Sequence, residues 1–352
     1  MKTMIMTGGG TSGHVTPNIA LMPKLKELGY RINYIGSLNG IEKQLIKNEN
    51  IPYYSISAGK LRRYIDTKNI ADAFRVLRGL RQSISIIKKV KPDILFSKGG
   101  FVSCPVVWAA WLCKVPVVIH ESDITPGLAN RLSMPFAKKI CYTFPESKAY
   151  IPEDKGVMTG LPIRQSLLEG DSDKGRKLCG FTEAKPIILV IGGSQGAEAI
   201  NKEIRGQLQS LLKEFQICHI CGNGNIDTEF SGFEGYRQYE YVDKDQAHLF
   251  AMSDLVISRA GATTLFEILA LKKPNLLIPL SKKASRGDQI LNAQSFSLQG
   301  FSMVLEEEYI HAELLISIKK LYKEKSNYIT RMKKSTIVNS IDNVIDVIKS
   351  LN

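Results

Sequence analysis

The sequence predicts an α/β protein built on two doubly wound parallel sheets. Three observations carry that expectation. Short apolar runs alternate with amphipathic stretches along the chain, the order expected when helices cover both faces of a parallel sheet. A strand, glycine turn and helix occur together twice, as MIMTGGGTSGH (4–14) and LVIGGSQGA (189–197). The chain has 352 residues, 44% of them apolar, enough for two domains with real cores.

In the first half, strands are expected at 3–7, 31–36, 93–97, 116–120 and 139–143. In the second half they are expected at 186–191, 216–221, 254–258, 275–279 and 301–305. The two glycine turns align Gly9 with Gly192, Gly10 with Gly193, Thr11 with Ser194, Gly13 with Gly196 and His14 with Ala197. The polar stretch EGDSDKGRK (169–177) between the halves reads as a surface loop. The expected domains are therefore 1–163 and 164–335, with the helical stretch 336–352 packing back on the first. Ligands of such sheets sit at the carboxyl ends of the strands, so two facing domains would leave a central cleft.

A glycine turn between strand and helix lets backbone N–H groups approach a ligand, and phosphate is the usual guest. Gly8, Gly10 and Gly13 spell GxGxxG, but the second strand ends in Gly36 and Ser37 without the acidic residue that a dinucleotide ribose needs. No Lys follows either turn as in a Walker motif. His14 aligns with an alanine, so packing alone does not call for histidine there. A histidine at a helix start is held neutral and can accept a proton, which suits a general base. Capping of the turn by its ring is the structural alternative.

In DLVISRAGATTLFEILAL (254–271) a strand is expected to end at Arg259, with a turn and a helix after it. Thr263, Thr264 and the free amides around Ala262 could bind a diphosphate. Glu267, expected in the first helical turn, could accept from a ribose diol or simply complement the helix dipole. Asp288 and Gln289 open another helix and could meet sugar hydroxyls.

Cys218 and Cys221 form the single CxxC, and a zinc site needs a second pair or suitable histidines. FQICHIC reads as a buried strand, with His219 a satisfied or solvated neighbour. Asp171-Ser-Asp173 lies in the polar linker, and Lys244 separates Asp243 from Asp245, so no catalytic metal is expected. The N-terminus enters a strand without a cleavable apolar leader, and no apolar run reaches the roughly 20 residues of a membrane span, so a non-exported protein is expected.

The net charge of +13 is uneven. Residues 60–91 carry ten Lys and Arg against Asp66 and Asp72. Within this segment Ile70, Phe74, Leu77, Ile84 and Ile87 are expected on one helix face, and Arg75, Arg78, Gln82 and Lys89 on the other. Together with Arg62 and Arg63, this density points to an anionic partner. Anionic lipid attracts such patches at roughly 1 kcal/mol per cation. No RNP, KH or helix-turn-helix signature supports nucleic acid.

The motifs GGGTSGH, SKGGFVSCP (97–105), HESDITPGLAN (120–130), TGLPIR (159–164), GGSQGA, SRAGATTLFE and RGDQ, in this order, resemble the MurG family of peptidoglycan glycosyltransferases, with the twin-domain GT-B fold. The resemblance covers essentially the whole chain. It implies inverting, metal-free transfer of N-acetylglucosamine from its UDP form to O4 of the muramoyl sugar of lipid I, giving lipid II, without a cofactor. It also implies peripheral attachment to the cytoplasmic face of the membrane.

By motif position, Ser194, Thr263 and Thr264 would lie near the donor diphosphate, with Arg164 serving the same site. Glu267 would bind ribose, Asp288 and Gln289 the donor sugar, and the backbone of Val242, after the strand YEYV, would face uracil. Thr11, Ser12, Gly13 and His14 would sit over the reacting centre, and Asn130 would lie on the acceptor side. Two departures stand out. Ser12 replaces a glycine of the usual GGTGGH, and Asp123 replaces an amide of HEQN. A carboxylate is repelled by a neighbouring diphosphate, so Asp123 would meet hydroxyls or act as the base in place of His14. The rival readings are a UDP-N-acetylglucosamine 2-epimerase on the same fold and a non-enzymatic basic membrane-binding protein, with a dehydrogenase third.

Overall fold

The computed structural model describes residues 1–59, 68–182, 184–193, 195–281, 287–335 and 340–351, with the backbone alone over 68–71. Arg62, Arg63 and Ser194 lie outside the described residues. The chain divides into two compact units, Met1–Arg164 with Asn339–Asn352, and Gln165–Val338.

The first unit runs β1 (Thr3–Thr7), α1 (Thr16–Glu27), β2 (Arg31–Ser37), α2 (Ile41–Lys47), β3 (Tyr53–Ile56), α3 (Lys68–Val90), β4 (Ile94–Ser97), α4 (Ser103–Leu112), β5 (Val117–Glu121), α5 (Leu128–Ser133), β6 (Lys139–Tyr142) and β7 (Gly156–Met158). The second runs α6 (Gln165–Leu168), α7 (Ser172–Cys179), β8 (Ile187–Ile191), α8 (Glu198–Gly206), α9 (Leu208–Leu211), β9 (Gln216–Ile220), β10 (Tyr236–Tyr239), α10 (Gln246–Met252), β11 (Leu255–Ser258), α11 (Ala262–Leu271), β12 (Asn275–Leu277), α12 (Asp288–Leu298), β13 (Met303–Val304) and α13 (Ile310–Lys333). The last helix, α14 (Ile341–Lys349), belongs to the first unit.

The first sheet has strand order β3-β2-β1-β4-β5-β6-β7 and the second β10-β9-β8-β11-β12-β13. Every pairing is parallel. The order reverses direction at β1/β4 and again at β8/β11, and each glycine turn follows the strand at that switch point. Ligands of doubly wound sheets bind there.

The strands form because both faces are covered, so central strands are continuous apolar runs such as MIM, ILF and ILVI. On one face of the first sheet Met4, Met6, Tyr34 and Phe96 pack with Leu21 and Leu25 of α1. Val344, Ile345, Val347 and Ile348 of α14 are buried in the same cluster. At roughly 1.5–3 kcal/mol for each fully buried aliphatic side chain, that docking is a substantial part of the unit's cohesion. On the other face Ile5, Ile35, Leu95 and Ile119 pack against residues of α3 and α4.

Several expectations needed correction. Strands β3 and β7 escaped the pattern because they are short and half-buried. The YEYV stretch is not a strand, since β10 is YRQY and ends at Tyr239, which leaves Val242 in the loop beyond it. The 169–177 stretch is not a loop either. Asp171 caps α7 by accepting from the N–H groups of Asp173 and Lys174, which holds its carboxyl below the usual range. The faces of α3 also differ. Its inward side carries Asp72, Val76, Ser83 and Ile87, while Phe74 (69% exposed) and Leu77 (55%) stand outward near Arg75 and Arg78. Gln82, expected outward, accepts from the Ser57 N–H at 2.7 Å.

Candidate active site

The two glycine turns are not equivalent. Gly10 and Gly193 match, with φ of +92° and +86°. Gly13 and Gly196 do not. Gly13 lies in a single 3-10 turn, Ser12–His14, that precedes α1, whereas Gly196 has φ +79° before Ala197 caps α8. His14 therefore stands two residues before the α-helix proper.

The first turn is packed against protein. A Cβ on Gly8 would lie 2.4 Å from the His14 carbonyl oxygen, and one on Gly100 would lie 2.0 Å from that of Gly9. The glycines of TGGG and SKGG thus let two backbones touch. The Gly9 N–H donates to Gly99 O at 3.3 Å. The Gly10 N–H donates to the Glu42 carboxylate at 3.2 Å. Glu42 is fully buried and also accepts from Ser37 N–H at 2.9 Å and Ser37 Oγ at 2.5 Å. These two amides are spent inside the protein, so this turn positions Thr11–His14 and does not use them to cradle a phosphate. His14 Nδ1 lies 3.0 Å from Thr11 Oγ1, the capping contact weighed above. If Nδ1–H donates to the hydroxyl, Nε2 carries the lone pair a base requires.

The neighbouring loops are organised by buried charge. Glu121, at the end of β5, accepts from the N–H groups of Ser122 (2.8 Å), Asp123 (3.0 Å) and Gly127 (3.0 Å), and from Asn130 Nδ2 (2.8 Å). Asn130 is buried, and its Oδ1 has no described partner. Asp123 is half-buried, and its carbonyl accepts from Ser147 Oγ at 3.2 Å. Lys98, just past β4, is buried and donates to Ser122 Oγ. Burial pulls its ammonium down from 10.5 to about 8, against the opposing pull of Glu121 and Asp123. His120 is buried with Nε2–H donating to Gly160 O at 2.8 Å, and desolvation, then the Lys98 charge, hold it neutral. Sequence reasoning assigned no role to Glu42, Lys98 or Glu121.

At the strand ends of the second unit some glycines are crowded and others are not. No described atom lies within 4 Å of a Cβ built on Gly193, Gly261 or Gly287. Gly192, Gly196 and Gly222 are tightly held, with a Cβ 2.6 Å from Ala197 N, 2.0 Å from Cys221 O and 2.2 Å from Gly196 N. Behind that turn, Asn201 Nδ2 donates to Cys221 O at 2.9 Å. His219 is satisfied by Tyr236 OH (2.8 Å) and Asn201 Oδ1 (2.9 Å), and burial lowers it to about 3. Cys218 and Cys221 are buried thiols.

Gly261 is the N-cap of α11 and, lacking a side chain, does not itself cap the helix. Its first-turn amides belong to Ala262, Thr263 and Thr264, with both threonines half-buried. Glu267 lies in the second turn, not the first, because the helix begins at Ala262, and it is 5% exposed. Dipole complementation falls off within the first turn, so it no longer accounts for this glutamate. Asp288 and Gln289 open α12 as expected, and Gln289 Oε1 accepts from Leu280 N–H at 3.1 Å. Arg164 is half-buried at the end of the first unit. Among the described residues no group of three or more His, Cys, Asp or Glu could hold a metal ion.

Residues 4–142 match the glycosyltransferase family 28 N-terminal domain and residues 187–348 its C-terminal domain. The chain is 58% identical over 347 residues to the UDP-N-acetylglucosamine–N-acetylmuramyl-(pentapeptide) pyrophosphoryl-undecaprenol N-acetylglucosamine transferase of Clostridium perfringens, covering 98% of this chain and 97% of that one. It is 57% identical over 349 residues to the protein of the same name from Clostridium tetani, covering 99% and 98%. The crystal structure of Acinetobacter baumannii MurG superposes with a TM-score of 0.75 at 24% identity, over 99% of both chains. The UDP-GlcNAc 2-epimerase of Neisseria meningitidis, solved with UDP-GlcNAc bound, superposes with a TM-score of 0.69 at 14% identity, over 99% of this chain and 100% of that one.

Proposed function

The chain belongs to glycosyltransferase family 28, and from that membership we infer its reaction: N-acetylglucosamine passes from UDP-N-acetylglucosamine to lipid I, giving lipid II. The fold alone does not separate a transferase from an epimerase, since both superpose over the whole chain. Identity separates them, with 57–58% to the transferases against 14% to the epimerase.

The observation that supports the donor assignment is the uncrowded backbone at two glycines of the second unit, Gly193 and Gly261. In the second unit no described atom lies within 4 Å of a Cβ built on Gly193 or Gly261, and Gly261, the N-cap of α11, has no side chain of its own to cap the helix. Such helix starts bind phosphate through backbone amides and dipole. UDP lies against them in this reading, with Ser194, Thr263 and Thr264 on the diphosphate and Glu267 on the ribose. Val242 meets the uracil, Asp288 and Gln289 the sugar, and Arg164 the leaving phosphate charge. Preorganised donors of this kind stabilise the departing UDP as charge develops on it.

On the acceptor side O4 of the muramoyl sugar attacks C1 of N-acetylglucosamine from the face opposite UDP, which inverts that centre. His14 takes the O4 proton on Nε2 while Nδ1–H donates to Thr11. Asp123 is the second candidate base, on a loop that Glu121 fixes through four hydrogen bonds. Asn130 and Ser12 line the same end of the sheet.

Attachment to the membrane is peripheral and cytoplasm-facing in this reading. Phe74 and Leu77 are exposed beside Arg75 and Arg78, and Trp111 and Leu112 of the adjoining α4 are exposed as well. Apolar side chains with flanking cations fit an anionic lipid interface. Arg62 and Arg63 extend the charge along the sequence. Among the described residues no helix is long and apolar enough to cross a membrane.

Calorimetry tests the donor assignment. Wild type binds UDP-N-acetylglucosamine, and Glu267→Gln and Thr263→Ala weaken that binding while circular dichroism shows both variants folded. Unchanged affinity in both variants would move the donor site elsewhere.

A further inference from the structure

Lys98 is a cation at 1% exposure where the ends of β1, β4 and β5 meet. Its backbone N–H bonds Thr7 O at 2.9 Å, and a Cβ on Gly8 would lie 3.1 Å from its own Cβ. Its ammonium donates to Ser122 Oγ in the loop that carries Asp123. The charged and titratable groups that act on it are the carboxylates of Glu121 and Asp123, the neutral His120 ring and the Cys141 thiol, which burial pushes up to about 12. Burying an ammonium is costly unless opposite charges and hydrogen bonds offset the lost hydration, as Glu121, Asp123 and Ser122 do here. Here it bridges the first glycine turn to the Ser122–Asn130 loop.

We propose that Lys98 is a positioning residue for sugar transfer, its buried ammonium holding Ser122 and the loop of Asp123 in the arrangement that receives the acceptor. The inference rests on the reading that this loop faces lipid I. The protonated form is the competent one, because only the ammonium attracts both flanking carboxylates while donating to Ser122. Loss of the proton near pH 8 then loosens the loop and lowers transfer.

The same titration acts oppositely on stability. The folded protein releases this proton near 8 and the unfolded chain near 10.5, so between those values the unfolded state binds more protons and Lys98 makes folding more favourable as pH rises. Activity falling while stability holds or rises is a signature that general alkaline unfolding does not produce.

The experiment measures kcat/KM for a soluble lipid I analogue from pH 6.5 to 9.5, with Tm recorded at each pH, for wild type, Lys98→Met, Lys98→Arg and Asp123→Ala. The wild type should show an alkaline limb near 8 with no matching fall in Tm. Lys98→Met should lose about 100-fold in kcat/KM at pH 7, the scale of a misplaced reacting group, and lose the limb, while its affinity for UDP-N-acetylglucosamine stays unchanged. Lys98→Arg should retain activity and show no limb in this range. A flat wild-type profile overturns the proposal, and that result needs no variant to fold. A limb that persists in Lys98→Met or Lys98→Arg also overturns it, as does loss of donor binding in Lys98→Met. Asp123→Ala reads the underlying assumption separately, because full activity in it would remove the loop from the acceptor site whatever Lys98 does.

Discussion

Replacing Glu42 tests how the first glycine turn is held. Its carboxylate is fully buried and satisfies three donors, Ser37 N–H, Ser37 Oγ and Gly10 N–H. Glu42→Ala leaves all three without their acceptor and removes the carboxylate that packs directly on the turn, since a Cβ on Gly9 would sit 2.5 Å from Glu42 Cδ. Hydrogen bonds to a charged group contribute about 1.5–3 kcal/mol each, and breaking a buried charged network typically costs about 3–5 kcal/mol. The expected loss is therefore about 3–5 kcal/mol, or roughly 10 °C in Tm for a unit of this size. Glu42→Gln keeps one acceptor oxygen but turns an amide donor towards the Gly10 N–H, so its loss should be smaller, about 1–3 kcal/mol. Urea unfolding followed by circular dichroism measures both, and transfer rate measures the displaced Thr11–His14 segment. Glu42→Ala within 1 kcal/mol of wild type with full activity would refute the claim that this carboxylate holds the turn.

The remaining expectations concern the second turn and the surface. Gly196→Ala should abolish UDP-N-acetylglucosamine binding and lower Tm, because its Cβ would lie 2.0 Å from Cys221 O at φ +79°. Gly193→Ala meets no described atom and should cost only the roughly 1–2 kcal/mol of a left-handed conformation; thermal melts with and without UDP compare the two. The pair Arg75→Ala and Arg78→Ala should weaken binding to vesicles containing anionic phosphatidylglycerol by about 30-fold, from roughly 1 kcal/mol per cation. Unchanged sedimentation with such vesicles would exclude this face as the attachment surface.

Much of the architecture was readable in the sequence because doubly wound sheets write themselves as apolar runs separated by helices. MIM, ILF, VVI and ILVI are buried on both faces and stand out from their surroundings. β3 and β7 did not, since half-buried residues interrupt the apolar pattern. The face of α3 was misread for a related reason. Its inward side includes Asp72 and Ser83, while apolar Phe74 and Leu77 point outward, so polarity does not predict burial along this helix.

The candidate site was legible only where a motif is local. Thr11–His14 and Ala262–Glu267 are continuous stretches that a reader of spacing can find. Glu42 lies 32 residues from the Gly10 amide it binds, and Lys98 lies 24 residues from Ser122, so neither role follows from neighbours in sequence. The missing acidic residue at the end of β2 is instructive. An acid does stand near that strand end, but Glu42 is turned inward onto Ser37 and Gly10 and holds the turn itself.

The most direct test is transfer of labelled N-acetylglucosamine from its UDP form to a short-chain lipid I analogue in the presence of EDTA, with His14→Ala and Asp123→Ala alongside. The account predicts formation of the lipid II product by wild type, inversion at the anomeric carbon, and a loss of about 100- to 10,000-fold in the variant that lacks the base. Release of UDP with free sugar or its 2-epimer, and no lipid-linked disaccharide, would contradict it.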